Sequence, residues 1–213
     1  MSIRKVILVR HTESSEDIDP SLHNVADDRS ISLTPRGKTQ ARKLGKTLTN
    51  RVSICGSVGV YLSPTRRAIE TWNILSRYFP RPDLIEVEPS IRNLDWGNVT
   101  LNNRAEIEAE RYKAGVLNYQ FPGGDNCVEY VTAIDNFVKR ITADRNNQQF
   151  PECLLIVTHG FALRVILRTL LHLSDQDFRW LRNPPNGYCL ELEYDREKDL
   201  FVTSTPLIRM NPI

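Results

Sequence analysis

Two short apolar runs that both lead into a histidine constrain this chain more than any other feature of its sequence. Residues 6–9 have the length and β-branched content of a buried strand and run into Arg10 and His11. Residues 154–157 form a second such run, which leads through one threonine into His159. In an open α/β sheet, ligands bind beyond the carboxyl ends of the strands. A cation and two histidines at such strand exits therefore predict a site for anion chemistry.

Between these runs, strand-like and helical patterns alternate along the chain. Further strands are predicted at residues 58–62 and 84–87, and a hairpin at 188–194 and 200–204. Helices are predicted from an N-cap at Thr34, through the residues after Arg67, and at about 104–115, 126–142 and 161–171. The acidic residues 17–33 lack periodicity, which predicts a long loop. Strands that alternate with helices indicate α/β layers around a mostly parallel sheet.

Length, composition and net charge indicate how many domains the chain forms and which kinds of partner it is expected to bind. The 213 residues can bury a full core, which predicts one domain over residues 1–213. A content of 40% apolar and 25% charged residues is typical of a globular chain. The formal net charge of +2 gives no reason to expect nucleic acid or an anionic membrane as a partner.

The spacing of the cysteines and the N-terminal sequence indicate the cellular compartment. The four cysteines are widely spaced and form no CxxC pair, which favours reduced thiols. The first strand begins too early to leave room for a signal peptide, and no run approaches the roughly eighteen apolar residues of a membrane span. We therefore expect a cytoplasmic protein.

If the strand exits meet at one edge of the sheet, Arg10, His11, Arg67 and His159 form one site. A phosphomonoester carries about −1.5 to −2 charges near neutral pH, and two guanidiniums can hold it through bidentate hydrogen bonds. Taken alone, Arg67 and its neighbour Arg66 also fit surface charges. A neutral imidazole has a free lone pair for attack on phosphorus, and a second, protonated one stabilises charge in the transition state. No HxH or HExxH spacing points to a metal instead.

Several segments in order along nearly the whole chain match a known pattern. The main ones are Arg10-His11-Thr12-Glu13-Ser14, Ser63-Pro64-Thr65-Arg66-Arg67-Ala68 with Thr71, and Val157-Thr158-His159-Gly160 with Arg164. They resemble the histidine phosphatase superfamily, the phosphoglycerate-mutase-like proteins. Further segments extend the resemblance to its broad-range acid phosphatases: Leu33-Thr34 with Gln40-Ala41, Asp95-Trp96-Gly97-Asn98, Phe121-Pro122-Gly123-Gly124 and Arg182-Asn183-Pro184-Pro185-Asn186.

The resemblance implies a three-layer α/β/α fold with a mostly parallel central sheet. It implies that His11 is the phosphorylated nucleophile, that Arg10 and Arg67 clamp the phosphate, and that His159 is the electrostatic partner. It also implies that no metal or organic cofactor is needed. The expected ligand is a small phosphomonoester or inorganic phosphate.

Three positions depart from the family pattern. Thr12 replaces the usual glycine after the nucleophile, which would strain a backbone that needs positive φ, although its hydroxyl could bind phosphate. Asp17 replaces an asparagine that often holds the phosphate. Asn93 replaces the glutamate usually taken as the general acid, and an amide cannot donate a proton to an alkoxide. Asp95, Glu13 or Asp17 could substitute.

General acid catalysis contributes about 10²–10⁴-fold, so its loss would leave a slow enzyme. A phosphatase acting through phosphohistidine is therefore the leading prediction. A catalytically weakened relative that binds phosphorylated ligands or partner proteins is the alternative, and a mutase is a third. Gly160 and His23 complete the predicted substrate contacts, with Trp96 as a wall of the pocket. The oligomeric state stays open, with a homodimer as one option.

Overall fold

The computed structural model describes residues 3–24, 29–143 and 150–208, and in these ranges six strands form one sheet between helical layers. The strands are β1 (Lys5–Arg10), β2 (Val58–Leu62), β3 (Leu84–Val87), β4 (Cys153–Thr158), β5 (Cys189–Asp195) and β6 (Leu200–Val202). The α-helices are α1 (Ser15–Ile18), α2 (Pro35–Ser53), α3 (Arg66–Leu75), α4 (Arg104–Ala114), α5 (Cys127–Ala143), α6 (Gly160–Leu170) and α7 (Asp175–Trp180). Short 3₁₀ helices span Pro20–Asn24, Ser76–Tyr78 and Pro89–Ile91.

The sheet has the order β3-β2-β4-β1-β5-β6 and is mostly parallel, as predicted. The strands β1 to β4 run in one direction, whereas β5 pairs antiparallel with both β1 and β6. The two strands that lead into the histidines, β1 and β4, are direct neighbours, and their register pairs Arg10 with Thr158. The topology therefore brings the two strand exits together at one edge.

The sheet is buried on both faces, which explains the nearly continuous apolar runs of β1 and β4. One face packs under α2 and α3, and the other packs under α5 and α6. Successive strand residues alternate between them: Ile7 and Val157 belong to the first core, Leu8 and Ile156 to the second. This arrangement confirms the predicted three-layer α/β/α architecture. Burial of each such side chain contributes about 1.5–3 kcal/mol.

Helix α2 begins where the sequence predicts and also fixes the segment that follows β1. Thr34 caps the helix by accepting a hydrogen bond from the Gly37 amide at 2.9 Å, with Pro35 at the first helical position. The Thr34 amide and hydroxyl both donate to Glu13, to its carbonyl at 3.1 Å and to its carboxylate at 2.7 Å. The start of α2 therefore anchors the loop that leaves the sheet at His11.

The prediction of a long loop over residues 17–33 was wrong for its first part. Helix α1 and the 3₁₀ helix Pro20–Asn24 occupy it, and residues 25–28 lie outside the described residues. The amide and the hydroxyl of Ser14 donate to the Asp17 carboxylate at 2.8 and 2.6 Å, which stabilises the first turn of α1. Because α1 buries no side chain, it leaves no apolar period in the sequence.

All four cysteines are free thiols, of which Cys127 and Cys153 are buried and Cys55 and Cys189 partly exposed. In the described parts of the chain, no helix combines the length and apolar character that crossing a bilayer requires.

The contact between α2 and the loop after β1 generates a stability prediction. A Cβ at Gly37 would overlap the Glu13 carbonyl, and this backbone has no rotamer with which to escape. We expect Gly37→Ala to lower the free energy of unfolding by about 1–3 kcal/mol, as measured by urea denaturation. The control is Gly56→Ala, because its Cβ would meet first the movable Glu152 carboxylate at 3.3 Å. Equal stability of the two variants would contradict the proposed anchoring.

Candidate active site

The neighbouring strands β1 and β4 deliver His11 and His159 side by side. Their ring centroids are 5.0 Å apart, and the ring planes are inclined by 56°. Both residues are almost fully buried, with 4% and 2% of their surface exposed. The backbone of His11 is held on both sides, because its amide donates to the Thr158 carbonyl at 2.9 Å and its carbonyl accepts from the Gly187 amide at 3.0 Å.

Local hydrogen bonding sets the tautomer of His11. Its Nδ1 lies 2.9 Å from the Thr12 carbonyl oxygen, which can only accept, so Nδ1 carries the proton. The neutral ring then has its lone pair on Nε2. Burial, together with the smaller effects of the nearby charges of Arg67 and Arg10, lowers the pKa of His11 to about 3. His11 is therefore neutral across the physiological pH range.

His159 is held through its other nitrogen. Its Nε2 forms hydrogen bonds with the hydroxyls of Ser63 at 2.8 Å and Thr65 at 3.1 Å, both from the loop between β2 and α3. Its buried Nδ1 has no hydrogen-bond partner among the described residues. Burial, followed by the charge of Arg67 and by smaller effects of the neighbouring His11 and Arg10, lowers the pKa of His159 well below its ordinary value. An anion next to Nδ1 would raise that pKa by opposing these effects.

Two guanidiniums flank the histidines. Arg10 donates to the Pro184 carbonyl at 2.6 Å, lies 3.4 Å from the Asp17 carboxylate, and has a buried Nε without a partner among the described residues. Arg67, in the first turn of α3, is 1% exposed. Its neighbour Arg66 is exposed and pairs with Glu70 at 2.8 Å. Of the two adjacent arginines, only Arg67 belongs to the site.

These groups line a cavity of about 280 Å³. Among the predicted residues, the lining includes Arg10, His11, Asp17, Arg67, Asn93, Trp96, His159 and Gly160. The lining residues that the sequence analysis missed are Glu16, Pro20, Leu94, Val99, Thr100, Leu101, Arg104, Phe161 and Asn183. The cavity lining thus combines basic and acidic side chains with apolar ones.

Of two further predicted substrate contacts, Thr12 does not line the cavity and the side chain of His23 lies outside the described residues. Thr12 is fully buried outside its lining, where its amide and hydroxyl bind the Thr71 hydroxyl at 3.2 and 3.3 Å. Its hydroxyl is therefore not available for phosphate in this arrangement, and Thr12 is not among the residues with positive φ, so the expected strain is absent. His23 lies in the 3₁₀ helix Pro20–Asn24, but its side chain lies outside the described residues.

The three candidate replacements for the general acid differ in whether they line the cavity. Glu13 accepts from the Thr34 hydroxyl and pairs with Arg36 at 3.1 Å, outside the cavity lining. The Asp95 carboxylate accepts from the Gly97 amide at 2.8 Å and is also outside the lining. Only Asp17 reaches the cavity.

The loop between α7 and β5 completes the site from a distant part of the chain. Its Pro184 carbonyl holds Arg10, and the Asn186 amide group donates to the Asp17 carboxylate at 3.1 Å. Asn183 lines the cavity, and its side-chain oxygen accepts from the buried Arg164 of α6 at 3.3 Å. The sequence analysis included this segment in the family resemblance but assigned none of its residues to the site, although its asparagines and prolines are typical of an ordered turn.

Among the described residues, no group of three or more His, Cys, Asp or Glu side chains is placed to hold a metal ion. What the arrangement can do is bind an anion between Arg10, Arg67 and His159 and present the Nε2 lone pair of His11 to it.

Solved structures with the same fold include known phosphatases. A mycobacterial glucosyl-3-phosphoglycerate phosphatase matches with a TM-score of 0.71 over 94% of this chain and 97% of its own, at 18% identity. The α-ribazole phosphatase of Shigella flexneri matches with a TM-score of 0.67 over 96% of each chain, at 20% identity. At such identities these likenesses establish the fold alone.

Sequence relatives place the chain more narrowly. The phosphoglycerate mutase-like protein AT74H of Arabidopsis thaliana is 30% identical over 84% of this chain and 70% of its own length, and AT74 is 29% identical over 92% and 66%. The broad-range acid phosphatase DET1 of Saccharomyces cerevisiae is 26% identical over 58% of this chain and 38% of its own. The chain thus spans about two thirds of the plant relatives and less of the yeast one. Because the model of the histidine phosphatase superfamily (branch 1) matches residues 6–205, the chain belongs to that superfamily.

Proposed function

We propose that this protein is a phosphatase that hydrolyses small phosphomonoesters through a phosphohistidine on His11. The observation that carries the proposal is the Nδ1 hydrogen bond of His11 to the Thr12 carbonyl, because it directs the Nε2 lone pair away from the backbone. This nucleophile lines a cavity that also contains two buried or partly buried guanidiniums.

Binding of the phosphate follows from the hydrogen-bond donors of the cavity. Nε of Arg10 and Nδ1 of His159 are buried and lack a partner among the described residues, and a phosphate oxygen would supply one to each. The guanidinium of Arg67 adds a fixed positive charge in a buried setting, where charge-assisted hydrogen bonds are strong. A dianion of about −1.5 to −2 charges offsets the mutual repulsion of these cations.

The chemistry divides into two displacements at phosphorus. Nε2 of His11 attacks the phosphorus atom, the bond from phosphorus to the ester oxygen breaks, and the leaving oxygen takes up a proton and departs as the alcohol. Water then attacks the phosphohistidine, releases inorganic phosphate and returns the lone pair to Nε2. His159, protonated in the presence of the phosphate, stabilises the charge on the transferring oxygens in both steps.

Relatives support this activity in broad terms. The yeast relative is a broad-range acid phosphatase, and the fold also occurs in a glucosyl-3-phosphoglycerate phosphatase and an α-ribazole phosphatase. A cavity of about 280 Å³ suits a small ester rather than a folded macromolecule.

One observation favours a second candidate function. Asn93, an amide, lines the cavity, and the sequence resemblance aligns it with the glutamate that usually serves as general acid in the family. A protein with an intact anion site and a poor proton donor could serve as a binding module for phosphorylated ligands. The two functions differ in whether anion binding is accompanied by turnover.

The first prediction addresses the nucleophile. We expect the wild type to hydrolyse 4-nitrophenyl phosphate and His11→Asn to lower kcat by at least about 10³-fold, because the attacking lone pair is lost. Release of 4-nitrophenol measures the rate. The control is His172→Asn, because His172 is exposed and outside the cavity. Vanadate that stabilises a wild type without turnover would establish the binding module instead.

The second prediction addresses the phosphate clamp. Arg67→Lys retains the charge but loses the bidentate donor set, so we expect the Kd for inorganic phosphate to rise by about 10-fold or more. Isothermal titration calorimetry measures the Kd. Arg66→Lys is the matched control, since Arg66 is exposed and pairs with Glu70 rather than with the cavity. Similar affinities in both variants would contradict the role of Arg67.

The third prediction concerns pH. The pKa of His11 is about 3 in the folded protein against an ordinary value of 6.5, so the unfolded chain binds more protons between these values. The free energy of unfolding therefore falls as the pH falls through this range. We expect the fall from pH 7 to pH 4.5, without phosphate, to be about 2 kcal/mol smaller in His11→Asn. Urea denaturation at both pH values measures it, and parallel losses in the two proteins would be inconsistent with a neutral, buried His11.

A further inference from the structure

Phosphoryl transfer from the phosphate ester of an ordinary alcohol needs a proton for the leaving oxygen, and the amide of Asn93 cannot supply it. Among the described residues that line the cavity, only Glu16 and Asp17 carry carboxyl groups. The two are adjacent in α1 but have different surroundings. These surroundings decide which of them can gain and lose a proton.

Asp17 is committed to its carboxylate form. It accepts hydrogen bonds from the amide and the hydroxyl of Ser14 at 2.8 and 2.6 Å and from Asn186 at 3.1 Å, and it lies 3.4 Å from Arg10. Partial burial works to raise the pKa of Asp17, but the hydrogen bonds from Ser14 and the nearby His11 and Arg10 outweigh it and lower the pKa. Protonation would break several of these bonds, so Asp17 is a structural anion.

Glu16 is differently placed. Its Oε2 lies 3.4 Å from a terminal nitrogen of Arg67, which is the guanidinium that we assign to the substrate phosphate. About 20% of the Glu16 side chain is exposed and the residue lines the cavity, so Glu16 contacts the buried clamp and is also reached by solvent. A phosphoryl group on Arg67 therefore has Glu16 as a direct neighbour.

We propose that Glu16 is the proton donor to the leaving oxygen and then the base that activates water. The assignment rests on the phosphatase function proposed above and concerns the same cavity. Substrate binding itself favours protonation of the donor. The phosphate dianion competes with Glu16 for Arg67, and it adds negative charge beside the Glu16 carboxylate. Both changes favour the protonated carboxyl group.

The two steps balance in atoms and electrons. In the first, Nε2 of His11 bonds to phosphorus, the ester P–O bond breaks, and the leaving oxygen takes the proton of the Glu16 carboxyl group. In the second, the oxygen of water bonds to phosphorus, the P–N bond breaks, and a proton of the water passes to the Glu16 carboxylate. The products are the alcohol and inorganic phosphate, with His11 and Glu16 restored.

The test compares leaving groups in Glu16→Gln. The quantity is kcat/KM, which reports the steps up to release of the alcohol. For an alkyl ester such as glycerol phosphate we expect a fall of about 10²–10⁴-fold. For 4-nitrophenyl phosphate we expect a change of less than about 3-fold, because the acidic phenol leaves without a proton. Asp19→Asn is the control: Asp19 is exposed just after α1, lies outside the cavity lining, and an asparagine keeps the oxygen that accepts from Ser21.

A second readout follows the water step. In Glu16→Gln the phosphohistidine forms from 4-nitrophenyl phosphate but loses the base for its hydrolysis. We expect a burst of one 4-nitrophenol per active site, followed by a slower steady state, and acid-labile phosphate on the protein after quenching. Glu16→Asp, in which the carboxyl group is one methylene shorter, should give intermediate alkyl ester rates and serves if the amide variant does not fold.

The outcomes separate this proposal from the phosphatase proposal. Equal losses for both esters in Glu16→Gln, no loss for either, or a wild type that hydrolyses only the aryl ester would overturn the role of Glu16, while His11-dependent aryl turnover would still support a phosphatase. Absence of His11-dependent turnover in the wild type would instead refute the phosphatase function. Binding of inorganic phosphate by Glu16→Gln at least as tightly as by the wild type verifies an intact site, since a competing anion has been removed.

Discussion

The parallel pairing of β1 with β4 is the constraint on which the site depends. The ladder runs from Lys5 and Cys153 to Arg10 and Thr158, so both strands end at the same level and His11 and His159 follow side by side. A shift of one residue would turn every side chain of a strand to the opposite face. Because both faces are buried in separate cores, the apolar packing fixes the register, and the register fixes the distance between the imidazoles.

Burial of cations beside neutral imidazoles gives this edge of the sheet its chemical character. Arg67 is 1% exposed, and together with Arg10 it lowers the pKa values of both histidines in addition to the larger effect of burial. Charges in such an environment are costly unless they are paired. Glu16 and Asp17 partly compensate them, at 3.4 Å from Arg67 and from Arg10 respectively, and in the proposed function a bound phosphate adds to this compensation. The neutral state of His11 is a consequence of this arrangement and is what a nucleophile requires.

Side chains from distant parts of the sequence hold the site in place. The Pro184 carbonyl orients Arg10, Asn186 binds Asp17, and the buried Arg164 holds Asn183 at the cavity. These contacts join α6 and the loop before β5 to the segment after β1. Asp17, where the resemblance predicts an asparagine, fits this setting because its charge is compensated by Arg10 and by the donors of Ser14.

The sequence by itself determined the strands, most helices and the approach of His11 to His159, because apolar periodicity and the exits of buried strands are local patterns. It did not determine which polar residues face the cavity. The backbone amide of Thr12 forms a hydrogen bond with the Thr71 hydroxyl, away from the cavity. Glu16 lines the cavity from α1, a helix that has no buried residue and therefore no apolar periodicity in its sequence. Only the tertiary structure decided these contacts, since the direction of a polar side chain depends on partners that are distant along the chain.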